Sequence, residues 1–178
     1  MAAPSLSQIA DALLFPDRYW SGGQITYSIP GAGAAWPGYG PGDEAADPHY
    51  AVLNADEGSL FRDIEDSWDR LIAPSVVETS DQTSPGQIRV AFTDVDAQLD
   101  ENVGGYAYGP PTGGGAGSAL SGDIWLDYGL HGDQFWEHGG GELMLHELGH
   151  ALGLKHSFED GPVLPAEYDN LRYTVMSY

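Results

Sequence analysis

The chain has 178 residues, 42% of them hydrophobic, with 27 acidic residues against 6 Lys plus Arg, a formal net charge of −21, and no cysteine. Its length and apolar content suit one globular domain, residues 1–178, with its own core. The charge repels phosphate, which excludes nucleic acid and anionic membranes as expected partners, and the lack of cysteine excludes disulfides and thiol chemistry.

In chain order, the opening stretch "MAAPSLSQIADALLFP" has neither the basic start nor the sustained apolar core of a signal peptide. Any export signal is expected to lie outside this chain. Residues 1–15 are expected to supply an N-terminal helix, with Leu6, Ile9, Leu13 and Leu14 along one side from Ser5 onward. "QITYSIP" (24–30) alternates Ile25, Tyr27 and Ile29, the period of a half-buried strand. Residues 31–48, rich in Gly, Pro and Ala, read as a loop. Asn54 followed by Glu57 forms a capping box, behind which Leu60, Phe61, Ile64, Trp68, Leu71 and Ile72 keep a helical period until Pro74. "QIRVAF" (87–92), "VGGYAYG" (103–109) and "GDIWLD" (122–127) read as further strands, the last at a sheet edge with Trp125 packing. "GPPTGGGAGSALS" lacks the Lys-Ser or Lys-Thr of a phosphate-binding loop and reads as a turn. No run is apolar enough for the ~20 residues of a membrane span, and no internal repeat is present. The element order gives an α+β domain, a twisted mixed sheet with two main helices, whose chemistry sits near its C-terminal end.

That chemistry is carried by "LHELGHALGLKHS" (145–157), on a helix starting near Gly141. His146 and His150, four apart, share one helical face. His156 lies six further on, where a continuing helix would carry it roughly 9 Å along the axis. Zinc needs its nitrogen ligands at ~2.0–2.1 Å, so either His156 is unrelated or the helix stops before it and the chain doubles back. Gly153 stands where that stop belongs, since glycine takes the left-handed conformation that ends helices. Glu147, rotated by ~100° from His146, flanks the metal position without binding it, where a general base for a zinc-activated water would stand.

His146-Glu147-x-x-His150-x-x-Gly153-x-x-His156 resembles the zinc signature of the metzincin metalloproteases, and "TVMSY" (174–178) resembles their methionine turn, with Met176 as its packed apolar base. The order Met176-Ser177-Tyr178 is similar to the serralysin branch. That likeness implies that Tyr178 is an extra metal ligand at rest that swings to stabilise the oxyanion during attack. Upstream, "QITYSIP", "GYAYGPP" and "GDIWLD" are similar to serralysin strands, so the resemblance covers most of the chain. The chain departs from the branch in three ways. Ser157, a matrixin-like residue, stands where serralysins carry Pro; no calcium-binding repeat domain follows; and the chain stops at Tyr178 where family members continue.

The resemblance implies a metzincin-like zincin fold with the zinc site below the edge strand. It also implies a secreted zinc endopeptidase, active as a monomer, taking protein or peptide substrates as an extended strand alongside "GDIWLD". His146, His150, His156 and Tyr178 would hold Zn2+, with Glu147 and Tyr178 catalytic. Two other classes stay open: a structural zinc adaptor, and a latent or inactive zinc-binding domain acting as a binding module. His49, His131 and His138 read as surface or hydrogen-bonded histidines. Glu159, Asp160, Glu167 and Asp169 read as a solvated acidic loop; they could hold calcium, though no clear motif indicates it.

Overall fold

A computed structural model describes residues 3–99, 103–159 and 161–178. Asp160 of the acidic loop lies outside them.

Helix α1 (Leu6–Leu13) is closed at its start by a capping box between Ser5 and Gln8. Its apolar stripe is only partly covered. Ala12 is buried, whereas Leu6 and Leu14 stay exposed. Strand β1 (Gln24–Ser28) buries Ile25 and Tyr27 as its alternation requires. The 31–48 loop contains one 3-10 turn, Glu44–Ala46. Helix α2 (Ala55–Asp69) begins at the expected box: Asn54 accepts from Asp56 N and Glu57 N, and Glu57 accepts from Asn54 N at 2.7 Å. It ends five residues before Pro74. The Asp69 carboxylate accepts from Val76 N at 2.6 Å, drawing the chain off the helix into strand β2 (Ser75–Glu78). Leu71 and Ile72 therefore belong to the turn, with Leu71 exposed.

Strand β3 (Ile88–Thr93), helix α3 (Val95–Leu99), strand β4 (Gly105–Ala107) and strand β5 (Asp123–Asp127) follow. Helices α4 (Asp133–Glu137) and α5 (Gly140–Leu152) complete the regular structure. The five strands form one sheet in the order β2-β1-β3-β5-β4. Four run parallel, and β4 alone is antiparallel, so the architecture is mixed α/β with a mostly parallel sheet.

This order corrects one expectation. "GDIWLD" is not an edge strand: β5 is paired with β3 on one side and β4 on the other, so no peptide can add alongside it. Among the described residues, the edge on that side is β4. Trp125, at the β5 centre, is fully buried and packs.

Alternation sends Ile88, Val90, Phe92, Ile124 and Leu126 into a core with Phe61, Ile64, Phe135, Met144 and Leu148 from α2, α4 and α5. The opposite face carries Ala91 and Trp125, covered by Trp36, Tyr39 and Tyr50 from the 31–51 segment.

Candidate metal centre

Helix α5 presents His146 and His150 one turn apart, and Gly153 ends it in the left-handed region at φ 111°. A β-branched residue there would be strained. Beyond Gly153 the chain reverses, so His156 comes back beside the helix. The three Nε2 atoms converge, with His146 at 3.1 Å from His156, His150 at 3.1 Å from His146 and at 3.2 Å from His156. Tetrahedral zinc with bonds of ~2.0–2.1 Å requires nitrogens about 3.3 Å apart. The three histidines lie close enough to hold a metal ion, and their spacing is consistent with zinc.

The donor set also fits chemically. Each Nδ1 has an acceptor: Val175 O at 2.6 Å for His146, Leu154 O at 2.9 Å for His150, and Glu159 Oε1 at 2.6 Å for His156. Those partners fix the protons on Nδ1, leaving three Nε2 lone pairs facing one another, an arrangement that a cation between them relieves. Burial lowers the His146 pKa and takes that of His150 down to about 4, so both rings are neutral, the form that binds metal.

Tyr178 and Glu147 are brought to the same place. The Tyr178 hydroxyl lies 2.7 Å from His156 Nε2, and its ring stacks on His146 with centroids 5.6 Å apart. Glu147 is 4% exposed, and its Oε2 has no hydrogen-bond partner. Burial pushes its carboxyl up to about 8, so without a cation nearby the group holds its proton at neutral pH. Glu147, the three histidines and Tyr178 all line a cleft of about 870 Å³ that runs along β4.

Met176 is fully buried beneath α5. A Cβ on Gly149 would stand 2.6 Å from its sulfur, so this glycine, between His146 and His150 on α5, is what lets the Met176 segment approach. A Cβ on Gly105 would meet Trp125 O at 2.8 Å and Glu147 Cγ at 3.5 Å, so glycine also lets β4 lie over Glu147. Neither glycine is a spacing signal that sequence reasoning could single out. The Ser157 hydroxyl donates to Asp169 and Ser157 N to Met176 O at 3.0 Å, tying the segment of His156 to that of Met176.

The acidic loop is thus partly engaged: Glu159 and Asp169 are hydrogen-bond acceptors, and Glu167 is exposed. The other histidines stand apart, as expected. His131 pairs with buried Glu57 at 3.1 Å, His138 with Gln134 at 3.1 Å, and His49 with Asp47 and Asp94.

The N-terminal segment reaches this region. Lys155 N donates to Leu13 O at 2.8 Å and Phe15 N to Gly153 O at 3.1 Å, a short antiparallel bridge centred on Leu14 and Leu154.

No family model matches the chain, and no curated protein matches it. Among solved structures 107 chains match. One of them is myroilysin, at 18% identity and a TM-score of 0.50. The alignment covers 82% of this chain and 55% of that one, so this chain spans about half of myroilysin's length. At that identity the likeness speaks for the fold alone.

Proposed function

We propose that this chain is a zinc-dependent endopeptidase of metzincin type, closest in its turn sequence to the serralysin branch, acting outside the cell on protein or peptide substrates. The observation that carries the reading is the convergence of three Nε2 lone pairs beside a buried carboxyl without a partner and a phenol within hydrogen-bond reach.

His146, His150 and His156 would hold the ion. Bound zinc supplies Lewis acidity, polarising a carbonyl and acidifying water at neutral pH. The remaining steps belong to the chain. Glu147 takes a proton from the attacking water and returns it to the leaving amine. Burial raises its pKa to about 8, and a positive charge beside it would lower it towards the carboxylate form that a base requires. Tyr178 donates its hydroxyl proton in a hydrogen bond to the oxygen on which charge develops. An extended peptide pairs with the free edge of β4, whose Gly105 leaves the backbone close to Glu147.

The test is digestion of casein by the purified chain. Cleavage should vanish with chelator and return with stoichiometric zinc. Cleavage indifferent to chelator would overturn the metal chemistry, and no cleavage by a fully zinc-loaded chain would overturn the peptidase reading.

A further inference from the structure

We propose that Glu159 is the positioning residue of the metal centre, holding the His156 ring in the tautomer and orientation that present Nε2 to the ion. The proposal rests on the zinc reading above and extends it by naming the side chain that governs metal retention.

The three ligands are supported unequally. His146 and His150 stand on α5, so the helix sets their positions, and their Nδ1 atoms donate to main-chain carbonyls that no side-chain substitution removes. His156 stands beyond the helix, in a segment without regular secondary structure. Of the three, it alone has a side chain as its Nδ1 partner. Glu159 grips that residue twice: Oε1 lies 2.6 Å from Nδ1, and Oε2 accepts from His156 N at 3.3 Å.

Neighbouring contacts divide the work. Phe158 stacks on the His156 ring with centroids 5.0 Å apart and planes within 6°. Stacking fixes the plane of the ring but not which nitrogen carries the proton. That choice falls to the Glu159 carboxylate, which accepts only from a protonated Nδ1 and so leaves Nε2 free to bind. The carboxylate itself comes from a tethered turn. Glu159 N donates to His156 O at 3.2 Å. Lys155, the chain's single lysine and 4% exposed, donates from Nζ to Pro162 O at 3.0 Å and to Glu159 O at 3.5 Å. Loss of a partner of this kind typically weakens metal binding ~10–100-fold.

The experiment is zinc titration against a chromophoric chelator for the wild-type chain, Glu159→Ala and Glu159→Gln, with cobalt(II) absorption spectra and metal-free thermal unfolding of each. Glu159→Ala should raise the zinc Kd by ~10–100-fold and alter the cobalt ligand-field bands. Glu159→Gln should fall between, because its amide oxygen still accepts from Nδ1–H, and the three metal-free Tm values should agree. A Glu159→Ala Kd within about twofold of wild type overturns the proposal. So does an affinity loss that tracks a fall in metal-free Tm and that Gln does not rescue, since the side chain would then hold the turn and not the ring. A wild-type chain that takes up no zinc overturns the zinc reading, and this proposal with it, before any variant is compared.

Discussion

The two faces of the sheet are covered by different means. On one face, α2, α4 and α5 press Phe61, Ile64, Phe135, Met144 and Leu148 against the sheet, and burial of apolar area does the work. On the other, the 31–51 segment lays an aromatic layer whose polar atoms are paired one by one. Trp125 Nε1 donates to the Tyr39 hydroxyl at 2.9 Å, which donates to Asp123 at 2.9 Å. Trp36 Nε1 donates to the Tyr50 hydroxyl at 3.0 Å, and the Arg89 guanidinium lies 4.0 Å over the Trp36 ring. Tyr106 and Tyr108 both donate to the buried Glu44 carboxylate. The helical face tolerates changes that keep volume, whereas the aromatic face tolerates none that leave a partner unpaired. Strand β4 belongs to both: Gly105 backs onto Glu147, and Tyr106, with Tyr108 just past the strand, anchors to Glu44. The candidate site is thus built on one face and braced from the other.

Substitutions at the site itself should break turnover without touching the fold. Glu147→Ala removes the proposed base but no ligand, so kcat should fall roughly 10²–10⁴-fold with zinc content intact. Peptide cleavage alongside metal content by mass spectrometry checks it, and near-normal cleavage would sink the assignment. Tyr178→Phe removes one hydroxyl, so kcat should drop ~10²–10³-fold with KM little changed. A kcat within about twofold at full zinc occupancy would leave Tyr178 as a packing residue.

The next effect is on stability and depends on pH. Glu65 on α2 is buried with neither carboxylate oxygen partnered, and burial takes its pKa up to about 8. Burial likewise raises Asp123 to about 7 and Glu147 to about 8. Folded pKa values lie above unfolded ones, so the folded chain holds extra protons. The stability these three carboxyls contribute is full below about pH 4 and is lost as pH rises towards 7–8, each group giving a slope of roughly 1–2 kcal/mol per pH unit. Glu65→Gln should flatten that decline in metal-free protein, read from urea midpoints at pH 5 and pH 8. An unchanged slope would mean that Glu65 is solvated.

The smallest effect is expected on the braced face. Glu44→Ala leaves two phenols without their acceptor and should lower stability by about 1–3 kcal/mol, with the zinc Kd unaltered. If β4 carries the substrate, KM should also rise while kcat holds. A changed zinc Kd would join the two faces more tightly than their contacts suggest.

Features set by neighbours in sequence were legible. The Asn54–Glu57 box, the strand alternation of Ile25 and Tyr27, the helix carrying His146 and His150, and the stop at Gly153 each follow from a spacing of a few residues. Features set by topology were not. Nothing local in "GDIWLD" tells that β4 closes its outer side, and the short strand β2, with only Val76 partly covered, has no alternation to read. The support of the metal ligands was hidden for the same reason: the Val175 carbonyl lies 29 residues from His146 in sequence. Glu159 is nearby, but an acidic residue in a polar loop gives no sign of the ring that it holds.

The bridge between residues 13–15 and 153–155 also bears on the order of assembly. It closes a loop of about 140 residues, the kind of long-range contact that forms after local structure is in place. A helix forms in microseconds or less, so α5 can set His146 and His150 side by side well before the third ligand's segment is docked. The convergence of the three Nε2 atoms is thus completed by the segment that residues 13–15 clasp.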